Sequence, residues 1–133
     1  MVYEAIKNSP QFKKDFRLVG QITDASVSSM SNIAEGFSRR SDKEFIQFLF
    51  VSKSSATEVQ SEAYVGLDQK YISQDEFQKI YHQAEKVSRM DSGLITYLFQ
   101  NEKKLKKLNK LNRLNEPDRP KRPERRNKPS RLE

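Results

Sequence analysis

Two groups of cations in this chain have the residue types and spacing to hold phosphate. Arg39, Arg40 and Lys43 cluster within five residues, at the approach to a helix start. Arginine placed there can hold a phosphate oxygen beside the free backbone N–H groups of the first helical turn. Asp42 and Glu44 sit among these cations, so a solvated, partly neutralised turn is the competing reading. The second group is denser. Lys103, Lys104, Lys106, Lys107, Lys110 and Arg113 fall within eleven residues, with Glu102 the nearest acid. Such a run is the electrostatic footprint of sequence-independent phosphate binding. An anionic membrane surface and plain solubility are its rivals.

The charge is strongly partitioned. Of 25 Lys/Arg and 18 Asp/Glu, residues 1–100 hold 12 and 13, a net of −1, and residues 101–133 hold 13 and 5, a net of +8. The overall +7 therefore belongs to the end of the chain, and that end is what would attract an anionic partner.

Nothing comparable points to catalysis. His82 is the only histidine, and its near neighbours Glu85 and Lys86 complete neither a metal set nor a general-base arrangement. Absent cysteine excludes thiolate metal sites and a disulfide framework. There is no glycine-rich phosphate loop and no activated nucleophile, so neither an enzyme nor a cofactor is expected. Asn32 and Glu35 could form a recognition pair. They could equally fix helix register or make a capping contact. Tyr64, Tyr71, Tyr81 and Tyr97 could stack on bases, but at helical spacing they also read as core-edge residues.

These candidates must be positioned by helices. Val2, Ala5 and Ile6 make a short apolar face that Ser9-Pro10 ends. From about 15 to 36, Phe16, Val19, Ile22, Ser26, Met30, Ile33, Ala34 and Phe37 recur in steps of three and four, with a serine-rich middle that weakens helix propensity. Gly36 is read as relaxing the backbone at that helix's end. Ser41 with Glu44 forms a capping-box pattern, and a helix from about 42 to 69 follows, with Phe45, Leu49, Ala56, Val59 and Ala63 on its stripe. The small residues Ser52, Ser55, Ala56, Ala63 and Gly66 would admit a neighbouring helix closely. Phe50 and Val51 fall off the stripe and suit an oligomer contact. Ser73 and Glu76 repeat the capping pattern before Phe77, Ile80, Ala84, Val87, Leu94 and Leu98, with Asp91 interrupting. Short connections between successive helices imply antiparallel neighbours.

The helix is expected to continue to about 112 as a basic amphipathic extension carrying Leu105, Leu108, Leu111 and Leu114. After Asn115 come Pro117, Pro120, Pro123 and Pro129 among seven cations, a composition expected to be disordered. The expected organisation is thus a bundle domain over 1–100, an extension over 101–114 and a basic tail over 115–133. No apolar run is long enough to span a bilayer and no signal segment opens the chain, so a cytoplasmic location is the default expectation.

The run Ser31-Asn32-Ile33-Ala34-Glu35-Gly36-Phe37, with Arg39-Arg40-Ser41 and Lys43-Glu44-Phe45 after it, closely resembles the signature of the four-helix-bundle proteins encoded in intervening sequences of bacterial 23S rRNA genes. Ser55-Ala56-Thr57-Glu58-Val59 and the stretch from Gly66-Leu67 to Tyr71-Ile72-Ser73 resemble that family's second half. The resemblance marks Asn32, Glu35 and Gly36 as signature residues. It implies a longer first helix than the one here, and often a proline where Met30 stands; the methionine favours an unbroken helix. It also implies likeness to the accessory protein of diversity-generating retroelements, a pentameric ring that engages nucleic acid and a reverse transcriptase. The expected fold is all-α, an antiparallel up-and-down bundle of three long helices plus a short N-terminal one. The expected role is a non-catalytic homo-oligomer, possible pentamer included, that binds RNA or DNA. The alternative is a protein-interaction scaffold.

Overall fold

The computed structural model describes residues 1–115, and all regular structure there is helical. Two short helices, α1 (Val2–Asn8) and α2 (Pro10–Lys14), precede three long ones: α3 (Phe16–Phe37), α4 (Asp42–Asp68) and α5 (Gln74–Leu114). The expected tail lies, from residue 116 on, outside the described residues. No helix among the described residues is long and apolar enough to cross a membrane.

Each boundary has a local cause. Ser9 ends α1 as expected, but its hydroxyl then accepts the Phe12 N–H at 3.2 Å and starts α2, with Pro10 in the first turn. Proline loses nothing there, because that N–H has no helical partner anyway. The sequence reading missed this helix by treating Ser9-Pro10 purely as a stop. Asp15 caps α3 by accepting the Leu18 N–H at 3.1 Å. Ser73 and Glu76 form the complete capping box at the start of α5. At Ser41 only half the box forms. Its hydroxyl accepts the Glu44 N–H at 3.3 Å but donates to the Glu44 carboxylate at 2.9 Å, so that carboxylate does not reach back to the cap backbone. α4 closes in a Schellman arrangement: Tyr71 N–H bonds Gly66 O and Lys70 N–H bonds Leu67 O, with Lys70 at φ 60°.

α4 is the central helix and packs against both α3 and α5, while α1 and α2 lean on one end. Ile6, Phe12, Ile22, Val59, Phe77 and Ile80 belong to the core at that end. At the other end Ile46, Leu49, Ile95 and Leu98 form a smaller core, edged by Ile33, Phe45 and Leu94. Between them along the helices lie buried polar residues: Ser29, Ser52, Ser55 and Asp91.

The stripe expected on α3 divides. Ile22 is buried and Val19 and Ile33 are half-buried, but Phe16, Met30 and Phe37 are exposed. Burial instead follows Leu18, Ile22, Ala25, Ser29 and Gly36. Small side chains let α3 approach α4 closely and rotate the large ones off the contact. The serine-rich middle does not interrupt α3. Ser26 bonds back to Ile22 O at 2.7 Å, and Ser28 and Ser29 reach across to α4. On α4 all five small residues named from the sequence are buried, whereas Phe50 and Val51 are exposed in the single chain.

Candidate nucleic-acid interface

The α3–α4 corner and the outer part of α5 come together at one end of the bundle. Arg40, Ser41 and Asp42 from the corner and Asn101, Glu102, Lys104, Leu105 and Leu108 from α5 line one open cleft of about 590 Å³. Two cation groups that are remote in sequence therefore share a surface. The reason is connectivity: α3 and α5 both pack on α4 and run in the same direction, so the corner after α3 comes level with residues 101–108 of α5, which continues beyond it to Leu114. Asp42 and Glu102 share the cleft, so its charge is mixed near the corner and becomes uniformly basic outward along α5. Lys103, Lys104, Lys106, Lys107, Lys110 and Arg113 are all exposed on that continuous helix, as are Leu105, Leu108, Leu111 and Leu114. Lys43 is exposed on the first turn of α4.

Arg39 and Arg40 differ. Arg39 pairs with Glu35 one turn back on α3, and its guanidinium lies 4.8 Å from the centre of the Phe48 ring. Both contacts hold it against the bundle. Arg40 faces the cleft.

The signature residues Asn32, Glu35 and Gly36 organise this corner. Asn32 donates to Ser28 O at 2.7 Å and to Ser28 Oγ at 3.1 Å, and Ser28 Oγ in turn meets Ser55 Oγ of α4 at 2.9 Å. Asn32 and Glu35 thus use separate partners. Gly36 is helical rather than relaxed, which corrects the sequence reading. A Cβ there would stand 2.7 Å from Phe45 Cδ2 and 2.8 Å from Phe48 Cβ, so the glycine is what lets α4 cross so near.

A second charged surface went unread in the sequence. Asp15, Asp24, Glu58 and Glu62 line an open groove between α3 and α4. Burial first, then Glu58 and Asp24, push the Glu62 carboxyl up to about 7, and its Oε2 is buried without a hydrogen-bond partner. The one-turn spacing of Glu58 and Glu62 was the available signal; it needed Asp24 from another helix to matter. These acids do not converge into a group that could hold a metal. His82 is exposed, edge-on to Tyr81 and 3.5 Å from Glu85. Tyr64 and Tyr81 pack with Phe77, and Tyr71 stacks on Phe12 at 5.5 Å while donating to Asp15 at 3.2 Å.

Residues 1–93 match the family described as 23S rRNA-intervening sequence protein. The chain belongs to that family. The match takes in the corner with Asn32, Glu35 and Gly36 and stops at residue 93, so the basic stretch of α5 lies beyond it. No curated protein matches the chain. Among solved structures, a protein of unknown function from the S23 ribosomal protein family, from Bacteroides thetaiotaomicron, aligns with a TM-score of 0.63 at 22% identity, covering 70% of this chain and 83% of that one. This likeness is one of fold.

Proposed function

We propose that this intervening-sequence protein is a non-catalytic, oligomeric nucleic-acid-binding protein that grips phosphate through the basic end of its bundle. The observation that carries the reading is the shared cleft, where Arg40 of the corner and Lys104 of α5 face one space, and α5 bears five further exposed cations between residues 103 and 113. A bundle of near-neutral charge with its cations gathered at one end would present them as an arm along a backbone. The family description, which names 23S rRNA, makes RNA the first probe. Assembly into a ring, which the resemblance to the retroelement accessory protein implies, would multiply such arms and raise avidity.

The exposed leucines of α5 favour a second reading, a scaffold that captures a protein partner on that helix. One experiment separates the two. Binding of labelled RNA and duplex DNA is measured at two salt concentrations for the full chain and for a chain ending at Asn101. Salt-dependent binding lost on truncation is the expected result. No binding by either chain at low salt would sink the proposal and turn attention to the scaffold.

A further inference from the structure

The cations on the outer part of α5 do not surround the helix. At about 3.6 residues per turn, Lys103, Lys106, Lys107, Lys110 and Arg113 fall within an arc of about 120°. Asn101, Leu105, Leu108, Asn109 and Asn112 fall on the opposite side. The cleft at the corner divides the helix in the same way. Asn101, Glu102, Lys104, Leu105 and Leu108 line it, and none of the five cations does. The row of cations is therefore turned away from the corner, and Lys104 is the one cation of this stretch that reaches the cleft.

All five are exposed, and the helix that carries them is continuous. It holds them in a row about 15 Å long, at 1.5 Å per residue. Within the described part of α5 after Glu85, no acid shares that side: Asp91 is buried and Glu102 lines the cleft.

The class of ligand follows from the chemistry of the row. Single-stranded nucleic acid is held by aromatic rings on which successive bases stack. Residues 100–115 include no aromatic, and Phe99, one turn before Lys103, is a single ring. Reading base edges takes amides or guanidinium forks. Four of the five cations are lysines, which act as point charges, and the asparagines lie on the other side. A duplex needs neither device. Its phosphates lie outermost, about one charge per 1.7 Å of axis, so a row of this length meets several without unstacking a base. An anionic lipid surface fits less well, because a membrane-surface helix turns its leucines to the lipid. Here Leu105 and Leu108 face the corner, with asparagines beside them.

We propose that this side of α5, from Lys103 to Arg113, is a rail for the phosphate backbone of double-stranded nucleic acid, bound without reading its sequence. The proposal rests on the nucleic-acid reading above and names its substrate class and its main surface.

The test moves charge from one side of the helix to the other in the full chain. Lys106→Gln with Lys110→Gln removes two rail cations and keeps good helix formers. A second variant adds Asn109→Lys and Asn112→Lys, which restores the net charge on the opposite side. Circular dichroism checks that both keep their helix content. Short labelled duplex RNA, duplex DNA and single-stranded RNA of equal length are titrated at several salt concentrations. The wild type should bind both duplexes more tightly than the single strand, and the tighter duplex names the preferred form. Both variants should lower the slope of log affinity against log salt by about 2. Recovery of the wild-type slope in the second variant would mean that net charge suffices, which overturns the rail. Tighter binding of the single strand overturns the substrate class, as does binding to phosphatidylserine vesicles without binding to duplex. Wild-type slopes in both variants, with binding still lost in the chain ending at Asn101, overturn the rail but leave the nucleic-acid reading standing. No binding by the wild type at low salt overturns both.

Discussion

The Ser52 hydroxyl donates a 2.6 Å hydrogen bond to the Asp91 carboxylate, and both residues are buried between the two apolar clusters. Burial raises the Asp91 pKa, and the bond from Ser52 and the charge of Lys53 hold it down. Ser29 meets the same serine at 3.3 Å, so all three long helices join in one polar layer. Ser52→Ala removes the donor and leaves a buried carboxylate short of a partner. It should cost about 2 kcal/mol at pH 7, in the range for an orphaned buried polar group. Ser29→Ala should cost well under half of that. Urea unfolding of the two variants measures the difference.

Glu62 provides the pH test. Its folded pKa of about 7 lies above the ordinary carboxyl value of 4.5. A raised carboxyl binds its proton more tightly in the folded state. Its contribution to stability is complete below about 4.5 and is lost as pH rises through about 7. Glu62→Gln should therefore match wild type near pH 4 and exceed it by about 1–2 kcal/mol at pH 8, after discounting for partial solvent access. Thermal melts of both chains across that range give the curve. Equal stability at pH 8 would mean that the carboxyl ionises freely in the folded protein.

Two glycines should respond in opposite directions to alanine. At Gly36 the new Cβ falls inside contact distance of Phe45 and of the Phe48 Cβ, which is fixed to the α4 backbone and cannot swing away. Gly36→Ala should destabilise by about 1–3 kcal/mol despite its better helix propensity. Gly93 on α5 has nothing within 4 Å and is exposed. Gly93→Ala should stabilise by about 0.5–1 kcal/mol. Denaturation midpoints of the pair distinguish a packing glycine from a tolerated one.

The all-α fold was legible because caps and apolar steps are local signals. Ser41 and Ser73 each act within one turn. Which face of α3 is buried was not local. Periodicity marked an apolar stripe from Phe16 to Phe37, but α3 packs through its small residues, and only the neighbour α4 decides that. Asp91 read as an interruption because its partner Ser52 lies 39 residues away, on α4. The corner and the α5 cations were each legible. Their meeting in one cleft required knowing that the corner after α3 comes level with residues 101–108 of α5.

Arg39 and Arg40 are adjacent in sequence but should separate by experiment. Arg39 is paired with Glu35 and lies over Phe48, so part of its charge is already used within the chain. Arg39→Ala should lower stability by about 0.5–1 kcal/mol, chiefly through the lost contact with the ring. It should change RNA affinity little. Arg40 faces the cleft with Lys104, and neither cation has a salt-bridge partner within 4.0 Å among the described residues. Arg40→Ala should leave stability within about 0.5 kcal/mol, as for most surface changes. If Arg40 contacts one phosphate, it should also reduce the slope of log affinity against log salt by about 1. Lys104→Ala should act like Arg40→Ala. Titrating labelled RNA at four salt concentrations with each variant gives the slopes, and urea curves on the same samples give the stabilities. Equal salt slopes for wild type and Arg40→Ala would remove the corner from the interface and leave the outer α5 cations to carry phosphate binding alone.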